Sequence, residues 1–307
     1  MSEEIHYTIH RNMVILLASV TIFLFITRIL LNIFDFPLLL EGSRDVDFKI
    51  LLLGLKNGLV NFYDPVAVPE GVPDWPPYYL YFWYFIFYPM GLVPFEVSVS
   101  IWDVLRLITS SYIVLKGFKI IKNRRNLLYF YFTILVGFLI DGWYNNCNFL
   151  IIFFLLLSYT FLEKDKMWLS GIFFALSMIK INSILFIPVL LVAKKIKVKD
   201  LIYYILPFLL MCLPYIIFPD YLLQMLNNWT NTTPGIQGLT FLDPIIWKAV
   251  QPSHLMFLGF MLIIIFESFE KYKKSDQIKN AVVLILIAFY IYISIVVMIL
   301  PIIYSLF

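Results

Sequence analysis

The feature that most constrains this chain is the length of its uncharged apolar runs. Residues 281–303 carry no charged side chain, and residues 13–34 carry one, Arg28. A helix needs about 20 apolar residues to cross a bilayer core about 30 Å thick, and both runs reach that length. Composition points the same way: of 307 residues, 62% are hydrophobic, 19% aromatic and 14% charged, against about 25% charged in a soluble domain. Thirty Phe and 20 Tyr are more than one core of this size can hide. A soluble enzyme and a disordered chain are excluded, and a net charge of +3 excludes a nucleic-acid binder. Two cysteines, Cys147 and Cys212, make neither a disulfide framework nor a Cys-rich metal site. The expected fold is all-α, a polytopic transmembrane helical bundle in a single integral-membrane domain, 1–307.

Hydropathy predicts spans at 13–34, 97–118, 127–142, 147–162, 168–181, 183–194, 201–218, 255–269 and 281–303. The first is too long for a cleavable signal peptide and lacks a small-residue cleavage site. The pair around Lys180-Ile181-Asn182 reads as two tilted or broken helices meeting at one face. With the N-terminus inside, sixteen Lys and Arg fall in cytoplasmic connections and five in outer ones, which is the positive-inside pattern. That count also decides the aromatic run 78–92 (YYLYFWYFIFYPMGL). A crossing there would move the basic cluster 116–125 outside and invert every later loop. It is therefore expected to be an interfacial or re-entrant helix on the outer side, where Tyr and Trp favour the headgroup boundary.

Two outer loops are long, 35–96 and 219–254, and long loops in compact proteins tend to be functional. The inner connections are short and basic, with no Gly-rich phosphate loop, so chemistry is expected on the outer face. Its densest cluster is Ser43-Arg44-Asp45-Val46-Asp47-Phe48-Lys49, followed by a mostly apolar stretch, 48–62, that suits an interfacial helix. In an extended segment Asp-x-Asp sets both carboxylates on one side, where one could act as a general base. The alternative is structural: Asp45 caps the following helix and Asp47 complements its dipole.

Lys180 stands at the outer end of a span and is the only Lys at that depth. It either binds an anion such as a lipid phosphate or snorkels to the headgroups. Asp103 and Arg106, three apart on one helix, can form an intramembrane pair. Three scattered His leave no His metal site in view. Asn228-Trp229-Thr230 and Asn231-Thr232-Thr233 are acceptor sequons in a loop placed outside on independent grounds.

Read in order, the motifs are Asp45-Val46-Asp47-Phe48, Gly58…Asn61-Phe62-Tyr63-Asp64-Pro65, Trp75-Pro76-Pro77-Tyr78, the aromatic stretch, Trp102-Asp103, Asn145-Asn146-Cys147-Asn148 and Gly171…Lys180-Ile181…Pro188. This order resembles the GT-C superfamily of integral-membrane glycosyltransferases over about residues 13–200. It is closest to the GPI-anchor mannosyltransferases and the prokaryotic enzymes that use polyprenyl-phosphate mannose. At 141–148 the chain departs from the common pattern, with Asp-Gly-Trp-Tyr-Asn-Asn where a Gly-Gln pair before the Asn is usual.

The resemblance implies a conserved module, 1–200, with its catalytic outer loop at 35–96, followed by C-terminal spans 201–307 with the outer loop 219–254. It implies an inverting hexosyltransferase that takes a sugar, mannose, from a polyprenyl- or dolichyl-phosphate donor to a glycolipid or glycan acceptor. Asp47 or Asp45 would be the base, Asp47 being favoured beside its aromatic neighbour. Lys180, Arg44 and Lys49 would be candidates for the donor phosphate. No nucleotide, cofactor or obligatory metal is expected, nor any nucleic-acid partner; membrane lipids surround the chain. The expected location is a cell membrane with the site outside, or an endoplasmic-reticulum membrane with the site in the lumen. A transporter or lipid flippase would also fit the composition, although no paired halves are visible, and so would a non-catalytic subunit of a membrane complex.

The sidedness is open to a direct check. Single cysteines at Ser43, Asn123 and Ser275, in a background lacking Cys147 and Cys212, are exposed in intact cells to an impermeant thiol reagent. Ser43→Cys should label and the other two should label only after permeabilisation. Labelling at 123 in sealed cells would invert the topology.

Overall fold

The computed structural model describes residues 3–34, 45–56, 63, 79–120, 145–231 and, between them, positions 127, 131, 134–135, 137–139 and 141–142. Among the described residues every regular element is helical, as an all-α fold requires. The α-helices are α1 (Glu3–Phe34), α2 (Val46–Lys56), α3 (Tyr81–Gly91), α4 (Phe95–Ile120), α5 (Asn148–Leu162), α6 (Met167–Ser177), α7 (Phe186–Val192), α8 (Ile202–Met211), α9 (Pro214–Ile217) and α10 (Pro219–Asn231). Short 3-10 segments at Ile181–Leu185 and Val198–Leu201 join α6 to α7 and lead into α8.

Several helices are shorter than the runs that predicted them. Among the described residues one, Phe95–Gly117, 23 residues, is long and apolar enough to cross a membrane by itself. The predicted spans 255–269 and 281–303 lie outside the described residues, so the count of nine remains an expectation. The run 201–218 divides after Met211, just before Pro214, which opens α9 and has no backbone donor to continue the helix. The run 168–181 stops at Ser177, and Ser183 Oγ then donates to the Ser177 carbonyl at 2.6 Å, satisfying one group that the helix end leaves open. The aromatic stretch forms α3, 11 residues long; its reach of about 17 Å is well short of the hydrocarbon core. Residues 219–231, expected as loop, form α10.

Three helix ends share one device. Asn145, Asp165 and Lys194 hold φ of 52°, 57° and 55°. After each, the next residue's N–H reaches back five positions: Asn146 to Asp141 at 3.0 Å, Lys166 to Phe161 at 2.9 Å and Lys195 to Leu190 at 2.9 Å. This is the Schellman termination, with a residue other than glycine in the left-handed position.

Large apolar side chains point outward: Ile22, Phe23 and Ile26 on α1, Ile101, Val104 and Ile108 on α4, and Ile205, Leu209 and Leu210 on α8 are all exposed. Asp45, Asp103, Arg106, Asp141 and Asn145 are buried. Apolar outside and polar inside reverses the arrangement of a water-soluble domain and matches a bundle whose surroundings are apolar. Inside, α1 packs on α4, α4 on α5, α5 on α6, α6 on α8, and α2 on α3. Trp102 of α4 staples three elements at once, with ring centroids 5.1 Å from Phe48 of α2, 5.2 Å from Phe87 of α3 and 5.2 Å from Phe149 of α5. Leu127, Tyr131, Ile134 and Phe138 are buried at helical spacing and lead to Asp141 on the same face.

A second lock joins the first long loop to the later helices. Tyr63 Oη donates to the Tyr79 carbonyl at 2.7 Å and meets Tyr215 Oη at 2.8 Å. Tyr215 Oη also accepts the Tyr81 N–H at 2.9 Å, and Asn228 Nδ2 donates to the Tyr63 carbonyl at 2.8 Å. Burial, reinforced by Tyr215 and Tyr84 nearby, pushes the Tyr63 hydroxyl far above the ordinary phenol range, so it stays neutral. Asn228, the first residue of a sequon, is therefore buried and engaged.

Gly171 on α6 faces the Tyr203 carbonyl of α8 so closely that a Cβ would overlap it. Gly171→Ala should lower stability by about 1–3 kcal/mol despite the helix-propensity gain of about 1 kcal/mol, because backbone cannot give way as a side chain can. In Gly91→Ala the new Cβ meets the Leu55 side chain at 3.0 Å, and the loss should be smaller. Thermal unfolding of the two variants in detergent, followed by tryptophan fluorescence, checks the order.

Candidate active site

Asp45 immediately precedes α2 with φ of 56°, and its carbonyl accepts the Lys49 N–H at 2.8 Å. The segment is thus not the extended strand that Asp-x-Asp suggests. Asp45 sits in the left-handed region, which Asp tolerates better than most residues, and Asp47 lies in the first turn of α2. Nor does Asp45 have the extended backbone usual at an N-cap. The two carboxylates turn to different partners, and those partners are neighbours. Asn145 Nδ2 donates to Asp45 Oδ1 at 2.6 Å, and Asn146 Nδ2 donates to Asp47 Oδ2.

Which end of each amide faces which group follows from the donors around it. Arg106 Nη1 donates to Asn145 Oδ1 at 2.5 Å, Lys180 Nζ to Asn146 Oδ1 at 2.7 Å, and the Cys147 N–H to that same oxygen at 2.7 Å. Arg, Lys and a backbone N–H are donors only, so the amide oxygens must face them and the NH2 groups must face the carboxylates. Two parallel relays result: Arg106–Asn145–Asp45 and Lys180–Asn146–Asp47. Asn145 tolerates its positive φ as Asn often does, and the Schellman turn it makes aims the two side chains at the acidic loop.

Arg106 also pairs with Asp103, and its guanidinium lies 5.5 Å from the Phe138 ring centroid. Asp141 Oδ1 accepts from Asn148 Nδ2 at 2.9 Å and Oδ2 from the Phe149 N–H at 3.3 Å, so it holds the start of α5. Lys180 is buried, with Nζ turned inward to 3.9 Å from Asp47 Oδ2. Snorkelling to headgroups does not describe that geometry. Lys49 lies on α2 with Nζ 6.0 Å from the Phe95 ring centroid, and Arg44 is outside the described residues. A small pocket opens between Asp47, Phe48, Leu51, Tyr79, Phe87, Trp102, Asn145, Cys147 and Ile179. Asp47 lines it and Asp45 does not. Among the described residues no group of His, Cys, Asp or Glu could hold a metal ion.

Sequence reasoning singled out Asp45, Asp47, Lys180, Asp103 and Arg106, all of which the fold brings to one region. It missed Asn145, Asn146 and Asp141 as members of that region. A signal was present: three Asn within four residues, after an Asp, in a connection between two apolar runs too short to be an ordinary loop.

The buried ion pair makes a stability prediction. Arg106→Met leaves Asp103 without its guanidinium and should cost about 3–5 kcal/mol, whereas adding Asp103→Leu should restore only the part owed to Asp103, because Asn145 Oδ1 still lacks its donor. Thermal unfolding of the single and double variants in detergent measures the difference.

Comparison with known proteins adds the chemistry. Residues 78–304 match the model of Glycosyltransferase family 87, a stretch that includes Trp102, Arg106, Asn145, Asn146 and Lys180 and begins after Asp45 and Asp47. No curated protein and no solved structure matches the chain. A match over most of the chain shows membership: this protein belongs to glycosyltransferase family 87.

Proposed function

We propose that the protein transfers a hexose, mannose, from a polyprenyl- or dolichyl-phosphate donor to a hydroxyl of a lipid- or protein-linked acceptor, inverting the anomeric centre. The observation that carries this reading is Asp47 at the edge of an aromatic pocket with the Lys180 ammonium 3.9 Å away. Family membership makes the protein a glycosyltransferase and sets aside the transporter alternative. Such a transfer needs a base for the acceptor and a cation for the leaving group, and this pair supplies both.

Asp47 takes the hydroxyl proton as the acceptor oxygen bonds to the anomeric carbon. The bond from that carbon to the donor phosphate breaks, and its electron pair leaves on the phosphate oxygen. That leaving group is already a phosphate, so no general acid is required. Lys180 offsets the charge that develops there, and the lipid tail lies along the apolar faces near α3. Asp47 suits the base role better than Asp45 because it lines the pocket, whereas Asp45 is fully buried and does not. Arg44 and Lys49 are the further phosphate candidates in the same loop.

We read the chain as one integral-membrane unit with this site on the extracytoplasmic side. In support, Asp45, Asp47, Asn145, Asn146 and Lys180 come from ends that the basic-residue count assigns outside, and Asp103 and Arg106 lie in the half of α4 that begins at such an end. Lys195 and Glu163, assigned inside, meet each other at 2.6 Å.

The test uses membranes carrying the enzyme and radiolabelled polyprenyl-phosphate mannose. Asp47→Asn should lower turnover about 10²–10⁴-fold with protein amount unchanged. Lys180→Ala should raise donor KM, lower kcat or both, and Lys180→Arg should keep part of the activity, because charge survives while the compact ammonium does not. Wild-type turnover in Asp47→Asn would remove the base from this reading, and wild-type kinetics in Lys180→Ala would remove the cation.

A further inference from the structure

We propose that Asn146 is the positioning residue of the transfer, acting through Asp47 and Lys180 by holding base and cation at a fixed separation. The inference rests on the reading of Asp47 as the base. Its ground is the three-way use of one amide. Nδ2 donates to Asp47 Oδ2, while Oδ1 accepts from Lys180 Nζ and from the Cys147 N–H, each at 2.7 Å. The backbone contact fixes the side chain against its own turn. The other two contacts then place a carboxylate and an ammonium side by side on the two arms of one planar amide.

The separation matters chemically. A direct ammonium–carboxylate hydrogen bond would close to about 2.8 Å, and each charge would be largely spent on the other. At 3.9 Å, with the amide bonded to both, the two charges still attract but are held short of a direct hydrogen bond. The carboxylate then meets an acceptor hydroxyl while the ammonium meets a phosphate. Asn146 is only 3% exposed, and the turn that presents it is closed by its own N–H to the Asp141 carbonyl at 3.0 Å. Its position is therefore set by the helix end rather than by a substrate.

The experiment is a double-mutant cycle on the full-length protein in membranes, with radiolabelled polyprenyl-phosphate mannose as donor. Asn146→Ala should lower kcat roughly 10–100-fold, as expected when a reacting group shifts by about 1 Å, with donor KM changed less than about threefold because Lys180 keeps its charge. Asn146→Asp preserves the shape and the acceptor for Lys180 and Cys147 but loses the donor to Asp47. It should fall as far, and it serves if the alanine variant does not accumulate. In the Asp47→Asn background the kcat losses should shrink to about threefold or less, since only the contact with Lys180 is then left to lose.

Three other outcomes are informative. If Asp47→Asn abolishes transfer while both Asn146 variants keep wild-type kcat, the positioning role is wrong and the base stands. If the Asn146 losses persist undiminished in the Asp47→Asn background, Asn146 is merely structural and the proposal fails. If Asp47→Asn itself leaves turnover intact, the base reading fails and takes this inference with it.

Discussion

Two adjacent amides carry the interior of this protein. An apolar bundle can hold carboxylates only if each finds a cation or a set of donors. The fold meets that requirement at one turn, where Asn145 and Asn146 link Asp45 to Arg106 and Asp47 to Lys180. Much else depends on this turn. It follows closely on Asp141 and Gly142, begins α5 through Asp141, and receives α2 from the first loop and Lys180 from beyond α6. Four segments that are distant in sequence meet because none could bury its polar group alone.

The aromatic layer has the complementary task. Trp102 touches one ring from each of α2, α3 and α5, and so seats the acidic loop over α4 without a polar contact of its own. Among the described residues its indole Nε1 has no hydrogen-bond partner, so packing rather than hydrogen bonding fixes the ring. The division is clear: apolar rings set where the loop sits, and the amides set which way its carboxylates point.

How far the sequence could be read depends on whether each signal was local. Lys180 was visible because a single cation at an outer end runs against the charge trend. Asp103 and Arg106 were visible because their spacing belongs to one helix. The amides were visible only as a run of Asn, because which carboxylate each one serves depends on Asp45 and Asp47, about a hundred positions away. The Asp-x-Asp expectation failed for a related reason. Strand periodicity presumes extended backbone, and the left-handed φ at Asp45 arises where the loop turns into α2. Hydropathy found the apolar runs but read through the break before Pro214, because window averages respond to polarity and not to a missing N–H.

The lock around Tyr63 bears on covalent modification. The Asn228 Nδ2 atom, to which a sugar would be joined, already donates to the Tyr63 carbonyl within the folded chain. One N–H would survive glycosylation, but Asn228 is buried where it meets Tyr63, so it is lack of space that sets a glycan there against a docked α10. In a host that modifies such sequons, occupancy at this position would count chains whose first loop and α10 had not yet met, and so act as a clock on folding rather than a decoration of the finished protein.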